Sequence, residues 1–159
     1  MVPRSDGETL AHAARRRTSR GVPHVAASAT APEPATPEPP RGPDLVLTTF
    51  GFKYGLPNAN YFFDVSFLRN PAREAQWNLF AEPDDEMRAF VLGQQACQDF
   101  LRDVLPLIRT VMRCDDGVRV AIGCNAGRHR SRIVAEELAQ RLSLEGVGVK
   151  LIHREDIYV

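Results

Sequence analysis

The apolar run Val118-Arg119-Val120-Ala121-Ile122-Gly123-Cys124 passes through a short polar turn straight into a segment with Ile133, Val134, Leu138 and Leu142 on one stripe. Near-continuous apolar character predicts a strand covered on both faces, as in a parallel sheet. Recurrence at three and four residues predicts an amphipathic helix. A covered strand feeding a helix is half of a βαβ unit, and few folds accommodate one.

The rest of the chain supplies the other half. Leu45-Val46-Leu47-Thr48-Thr49-Phe50 reads as a first strand, and the aromatic-rich segment 61–67 as a second. Pro83-Asp84-Asp85-Glu86 is a helix start with acids in its first turn, and that helix ends near Leu92 and Gly93. Phe100, Leu101, Val104, Leu105, Ile108, Val111 and Met112 mark a second helix, which Pro106 is expected to kink or divide. Segment 69–82 has no period and reads as loop. Gly146 and Gly148 turn the chain into a last strand with Val149, Leu151 and Ile152. The expectation is an α/β fold: a layered, mostly parallel sheet with helices packed on it and a strand-turn-helix anion-binding loop.

Residues 1–43 do not join this pattern. They hold most of the twelve prolines, no Phe, Trp or Tyr, and a Thr-Ala-Pro-Glu-Pro repeat, so they are expected to form a disordered Pro/Ala-rich tail. Residues 44–159 form the folded domain. Formal net charge is zero, split as +2 on the tail and −2 on the domain, which excludes nucleic-acid binding through a broad basic surface. Cys97, Cys114 and Cys124 are odd in number and irregularly spaced, which argues for a reducing, cytoplasmic setting. Arg15, Arg16 and Arg17 lack the apolar core of an export signal, and no apolar run is long enough to cross a bilayer.

Chemistry concentrates in Cys124-Asn125-Ala126-Gly127-Arg128-His129-Arg130-Ser131. Ligands of open α/β sheets bind at the carboxyl ends of strands. Free amides and the peptide dipoles at a helix start attract anions there. Ala126 and Gly127 let the backbone curl closely, and the Arg128 and Arg130 guanidiniums match phosphate oxygens in pairs. His129 and Ser131 add further donors. Lys53, in the Gly- and Pro-punctuated loop after the first strand, reaches the same sheet edge if the strands run parallel. The bland alternative leaves the arginines merely solvated and Cys124 inert, which an uncompensated helix N-terminus disfavours.

The same letters fit Cys-x5-Arg, the signature of cysteine-dependent phosphatases, with Cys124 as nucleophile and Arg130 holding the oxygens. The leaving-group acid would have to come from Asp84, Asp85 or Asp115. Cys124, His129, His153 and Cys114 lack the paired spacing of a zinc site, so neither metal nor cofactor is expected. RNA contacts through Arg128, Arg132 and the arginines of segment 15–20 are set against a simpler view of the latter as a solvated run.

Several separated blocks resemble the C-terminal domain of the RNase adapter RapZ family. They are Phe50-Gly51-Phe52-Lys53-Tyr54-Gly55-Leu56-Pro57; Phe63-Asp64-Val65 with Phe67-Leu68 and Asn70-Pro71; and Ala121-Ile122-Gly123-Cys124 with Gly127, His129-Arg130-Ser131 and Ala135-Glu136. The resemblance covers residues 48–154. It implies a sensor and adapter: a domain that binds an amino-sugar phosphate, glucosamine-6-phosphate, together with small regulatory RNAs and an RNase, with oligomers possible. In the family this domain follows a nucleotide-binding domain. No Gly-x4-Gly-Lys-Ser/Thr occurs here, so a stand-alone module without ATP or GTP binding is expected. This chain has Asn125-Ala126-Gly127 where the family has Thr-Gly-Gly, Ala72-Arg73 where it has His-Trp, and Ser66 in place of an arginine. It ends His153-Arg154-Glu155-Asp156-Ile157-Tyr158-Val159 rather than in a lysine- and arginine-rich tail, which predicts a reduced electrostatic contribution to RNA binding.

Overall fold

A computed structural model of the chain describes residues 42–78 and 80–158. The expected Pro-rich tail and its arginine cluster lie outside these residues, apart from Gly42 and Pro43. Four strands form one sheet: β1 (Leu45–Gly51), β2 (Tyr61–Asp64), β3 (Val118–Cys124) and β4 (Val149–His153). Their spatial order is β2-β3-β1-β4 and every pairing is parallel. Helices α1 (Asp85–Leu92) and α2 (Gln95–Cys114) connect β2 to β3, and α3 (Arg130–Leu144) connects β3 to β4. The architecture is α/β, as the alternation of covered strands and amphipathic helices requires.

The strand order explains where the helices sit. Both helical crossovers step in the same direction across the sheet, so right-handed connections place α1, α2 and α3 on one face. There Leu45, Leu47, Val118, Val120 and Ile122 pack against Leu101, Ile108, Ile133, Val134 and Leu138, all at most 1 % exposed. The return from β1 to β2 has no helix. It carries a 3-10 turn, Phe52–Tyr54, whose Phe52 ring stands 4.8 Å from Phe50. The strand β3 is covered on both faces as expected, by helices on one and by aromatic rings on the other. Gly123 makes the second layer possible, because a Cβ there would lie 2.5 Å from the Phe50 ring.

Two expectations change. The second strand stops at Asp64 instead of Phe67, because the Asp64 carboxylate accepts from the Ser66 amide at 2.8 Å and turns the chain. Pro106 does not divide α2, which runs unbroken through it. Pro106 is on the exposed side, where water can satisfy the carbonyl it leaves without a donor. The α1 start behaves as read, with Asp84 capping the Met87 amide at 2.7 Å. Among the described residues, no helix is long and apolar enough to cross a membrane.

Candidate functional site

Register brings the site together. Gly51 at the end of β1 pairs with Cys124 at the end of β3, so the loops leaving both strands meet at one carboxyl edge of the sheet. Gly51 has to be glycine, since a Cβ would stand 2.6 Å from the Ala126 carbonyl carbon. Gly127 has φ +73, a left-handed conformation that side chains rarely adopt, and its back is filled by Glu155, Gly51 and Phe50. The loop is thus pressed onto the end of β1 and curled by Gly127.

The curl leaves its donors unused. Among the described residues, no amide from 125 to 132 donates to an internal acceptor; the first bond of the segment runs from Ile133 to the His129 carbonyl at 2.9 Å. His129 occupies the N-cap of α3 without a side-chain capping bond, and the first turn holds no acidic residue. Free amides and the helix dipole therefore point the same way with no carboxylate on them, which is the electrostatic arrangement that holds anions.

A cavity of about 50 Å³ lies over this turn, lined by Asn70, Cys124, Asn125, Ala126, Arg128, His129 and Arg130. Six of the residues picked out in the sequence thus share one concavity. Gly127 forms the bend beneath it. Ser131 is fully buried below, its Oγ 3.3 Å from the Cys124 Sγ. Lys53 joins through its backbone, whose amide donates to the Asn125 carbonyl at 3.3 Å, while its ammonium lies over the Tyr54 ring. A larger cleft between residues 42–44 and 115–117 opens at the amino ends of β1 and β3. It carries three aspartates and no cation, so it does not suit an anion.

The charged side chains divide by engagement. Arg130, 8 % exposed and one of the cavity-lining residues, donates from one terminal nitrogen to the carbonyls of Ser66 at 2.6 Å and Leu68 at 3.0 Å. Arg128 has no carboxylate partner among the described residues and lies 5.5 Å from the Phe80 ring. Arg132 is taken up by Glu82, Glu136 and Asp156 at 3.0, 3.1 and 3.4 Å. The His129 Nε2 donates to the Ala81 carbonyl at 2.8 Å, which leaves Nδ1 as the acceptor of a neutral ring. Burial lowers the pKa of His129, the Ala81 bond opposes this, and Arg128 and Arg130 reinforce it.

Chemically, the arrangement offers donors and positive charge to an acceptor. None of the three aspartates considered as leaving-group acids lines the cavity: Asp84 is spent on its cap and Asp115 ends α2 beside the far cleft. Sequence reasoning quoted Asn70 only within a family block; it lines the cavity while its Oδ1 accepts from the Ala72 amide at 3.3 Å, and Glu155, which backs Gly127, was not read as part of the site.

Comparison with known proteins settles the kinship. The profile of the RapZ C-terminal domain family matches residues 43–156. The chain belongs to that family. Similar RapZ-family sequences include nucleotide-binding proteins of Frankia alni, 38 % identical over 118 residues, and of Alcanivorax borkumensis, 41 % identical over 119. Each match covers 70 % of this chain, and 41 % and 42 % of the respective relative. A nucleotide-binding protein of Streptomyces coelicolor is 39 % identical over 121 residues, or 71 % of this chain and 40 % of its own length. The chain thus spans about two fifths of the curated relatives it matches. The RapZ C-terminal domain profile runs from just before β1 into the final 3-10 turn, so it takes in every element that builds the anion loop.

Proposed function

We propose that this domain is the metabolite-sensing module of a RapZ-like regulatory adapter, binding a phosphorylated small molecule of amino-sugar phosphate type. The phosphate is held by the amides of residues 125–132 and the Arg130 guanidinium, with Arg128, His129 and Asn70 at the rim. One observation carries this reading: a run of loop and helix-start amides without an internal acceptor, at the head of a helix with no acid in its first turn. The missing acid among the cavity-lining residues supports binding over cysteine-phosphatase chemistry.

The RNA or RNase partnership comes from family membership alone. In the described residues Arg128 is the cation best placed for it, because Arg132 is already neutralised by three carboxylates. Three free cysteines support a reducing, cytoplasmic location.

The test is a thermal-shift screen of the full chain across sugar phosphates, with inorganic phosphate and sulfate as controls. A true ligand raises the melting temperature with the logarithm of its concentration. No rise with any ester or with phosphate at millimolar levels overturns the reading.

A further inference from the structure

Phe80 is held out in water. It is 73 % exposed, the most exposed of the eight phenylalanines, so burial does not account for its position. Its backbone is nonetheless fixed from both sides. The Phe80 amide donates to the Asn78 Oδ1 at 2.8 Å, and the Ala81 amide to the Asn78 carbonyl at 3.2 Å. His129 donates to the Ala81 carbonyl at 2.8 Å, and Arg132 pairs with Glu82 at 3.0 Å. Residues 80–82 thus form a strap tied to the turn after β3 and to the first turn of α3. The strap presents the Phe80 ring to Arg128, whose guanidinium carbon lies 5.5 Å from the ring centroid.

Arg128 has no other hold. Among the described residues it makes neither an ion pair nor a hydrogen bond, and the ring is the group that engages it. Its neighbours are held differently: Arg132 by three carboxylates, Arg130 by two carbonyls. Those bonds consume N–H donors. A cation over an aromatic face uses the charge of the guanidinium and none of its N–H groups, so every donor stays available. Arg128 also lines the cavity over the turn. An arginine left loose there would lose its rotamer freedom on binding a ligand, a cost that holding it beforehand removes.

We propose that Phe80 is a positioning residue of the anion site, holding the Arg128 guanidinium at the cavity with its donors free for phosphate. The assignment rests on the phosphate-binding reading and adds to it a residue that does not line the cavity. What the ring supplies is its negative face, so another aromatic side chain can replace it and an aliphatic one of similar bulk cannot.

The experiment is an NMR titration of the full chain with inorganic phosphate. It compares the native protein with Phe80→Ala, Phe80→Leu, Phe80→Tyr, Arg128→Gln and the double variant Phe80→Ala with Arg128→Gln. Thermal unfolding of each confirms the fold. The expected result is that Phe80→Ala and Phe80→Leu weaken phosphate binding about two- to fivefold, and that Phe80→Tyr restores it. In the Arg128→Gln background the loss of Phe80 costs nothing further, because the ring acts only through that guanidinium. Native affinity in Phe80→Ala or Phe80→Leu, or an equal loss with and without Arg128, overturns the role of Phe80 and leaves the phosphate site standing. Failure of the native protein to bind phosphate overturns the phosphate reading, and the positioning role with it. Should Phe80→Ala unfold, Phe80→Leu against Phe80→Tyr decides by the same ratio.

Discussion

Arg130 and Ser66 are joined at 2.6 Å, guanidinium nitrogen to backbone carbonyl, across 64 positions of sequence. The bond ties the start of α3 to the turn after β2, and the same nitrogen also holds Leu68. Arg130 therefore stiffens one wall of the cavity, and in the proposed reading its remaining donors serve the anion.

Arg130→Ala removes both. Two carbonyls lose a charged donor, so a cost of about 1.5–3 kcal/mol is expected. Phosphate binding is lost as well. Arg130→Lys keeps the charge but not the fork, and should recover part of the stability and little of the affinity. Denaturant unfolding together with phosphate titration separates the two effects. Unchanged phosphate affinity in Arg130→Ala removes this residue from the site.

Gly127→Ala tests the shape of the loop without touching its charge. A Cβ there would lie 2.6 Å from both the Glu155 Cγ and the Gly51 nitrogen, at φ +73. The left-handed conformation alone costs roughly 1–2 kcal/mol, and the contacts are largely backbone, which yields little. Thermal unfolding should fall by several degrees. Phosphate affinity should drop with it, because the amides can no longer converge. Native affinity in the variant means that the curl is not what gathers them.

The strand-turn-helix segment was legible because its signal is local. Strand period, helix period and the intervening Gly and Arg residues all fall between Val118 and Leu142. What escaped depends on partners far away in sequence. Glu155 sits in a C-terminal segment without period, and its acceptor role is defined by Gly51, 104 positions earlier. Arg130 was read as a phosphate ligand, yet its anchors come from carbonyls at Ser66 and Leu68, and no side-chain pattern records a carbonyl. Pro106 misled because propensity counts its missing N–H, whereas the helix cares which side of it faces water. The one-sided sheet was hidden for a topological reason: the face a helix covers depends on strand order, and β1 lies between β3 and β4.

His129 predicts a pH dependence that the anion should alter. Burial lowers its pKa below the ordinary 6.5, so the unfolded chain takes up the proton more readily than the folded one. The stability it contributes is complete above about pH 6.5 and is lost as pH falls through the lowered value. A bound phosphate places negative charge beside the ring and should raise that pKa, shrinking the acid-side loss. Following the His129 ring signals by NMR with and without phosphate checks the sign. A pKa that does not move on saturation places the anion elsewhere.

Glu136 anchors a second network of charged side chains. It binds Arg88, Arg132 at 3.1 Å and His153 at 3.2 Å, and His153 passes the connection on to Thr49 at 3.1 Å. Burial pushes the Glu136 pKa up, but the bonds from His153, Arg88 and Arg132 outweigh it and bring it to about 2 from 4.5. Its stabilisation is therefore present above about pH 4.5 and is lost between there and pH 2. Glu136→Gln leaves Arg88 without its carboxylate and Arg132 with only Glu82 and Asp156, and should cost about 1–3 kcal/mol at neutral pH. As the native carboxyl becomes protonated, the two proteins converge, so the difference in unfolding free energy narrows from pH 5 to pH 2. A difference that stays constant over that range means the variant is weakened by packing, and the network's charge contributes nothing to the fold.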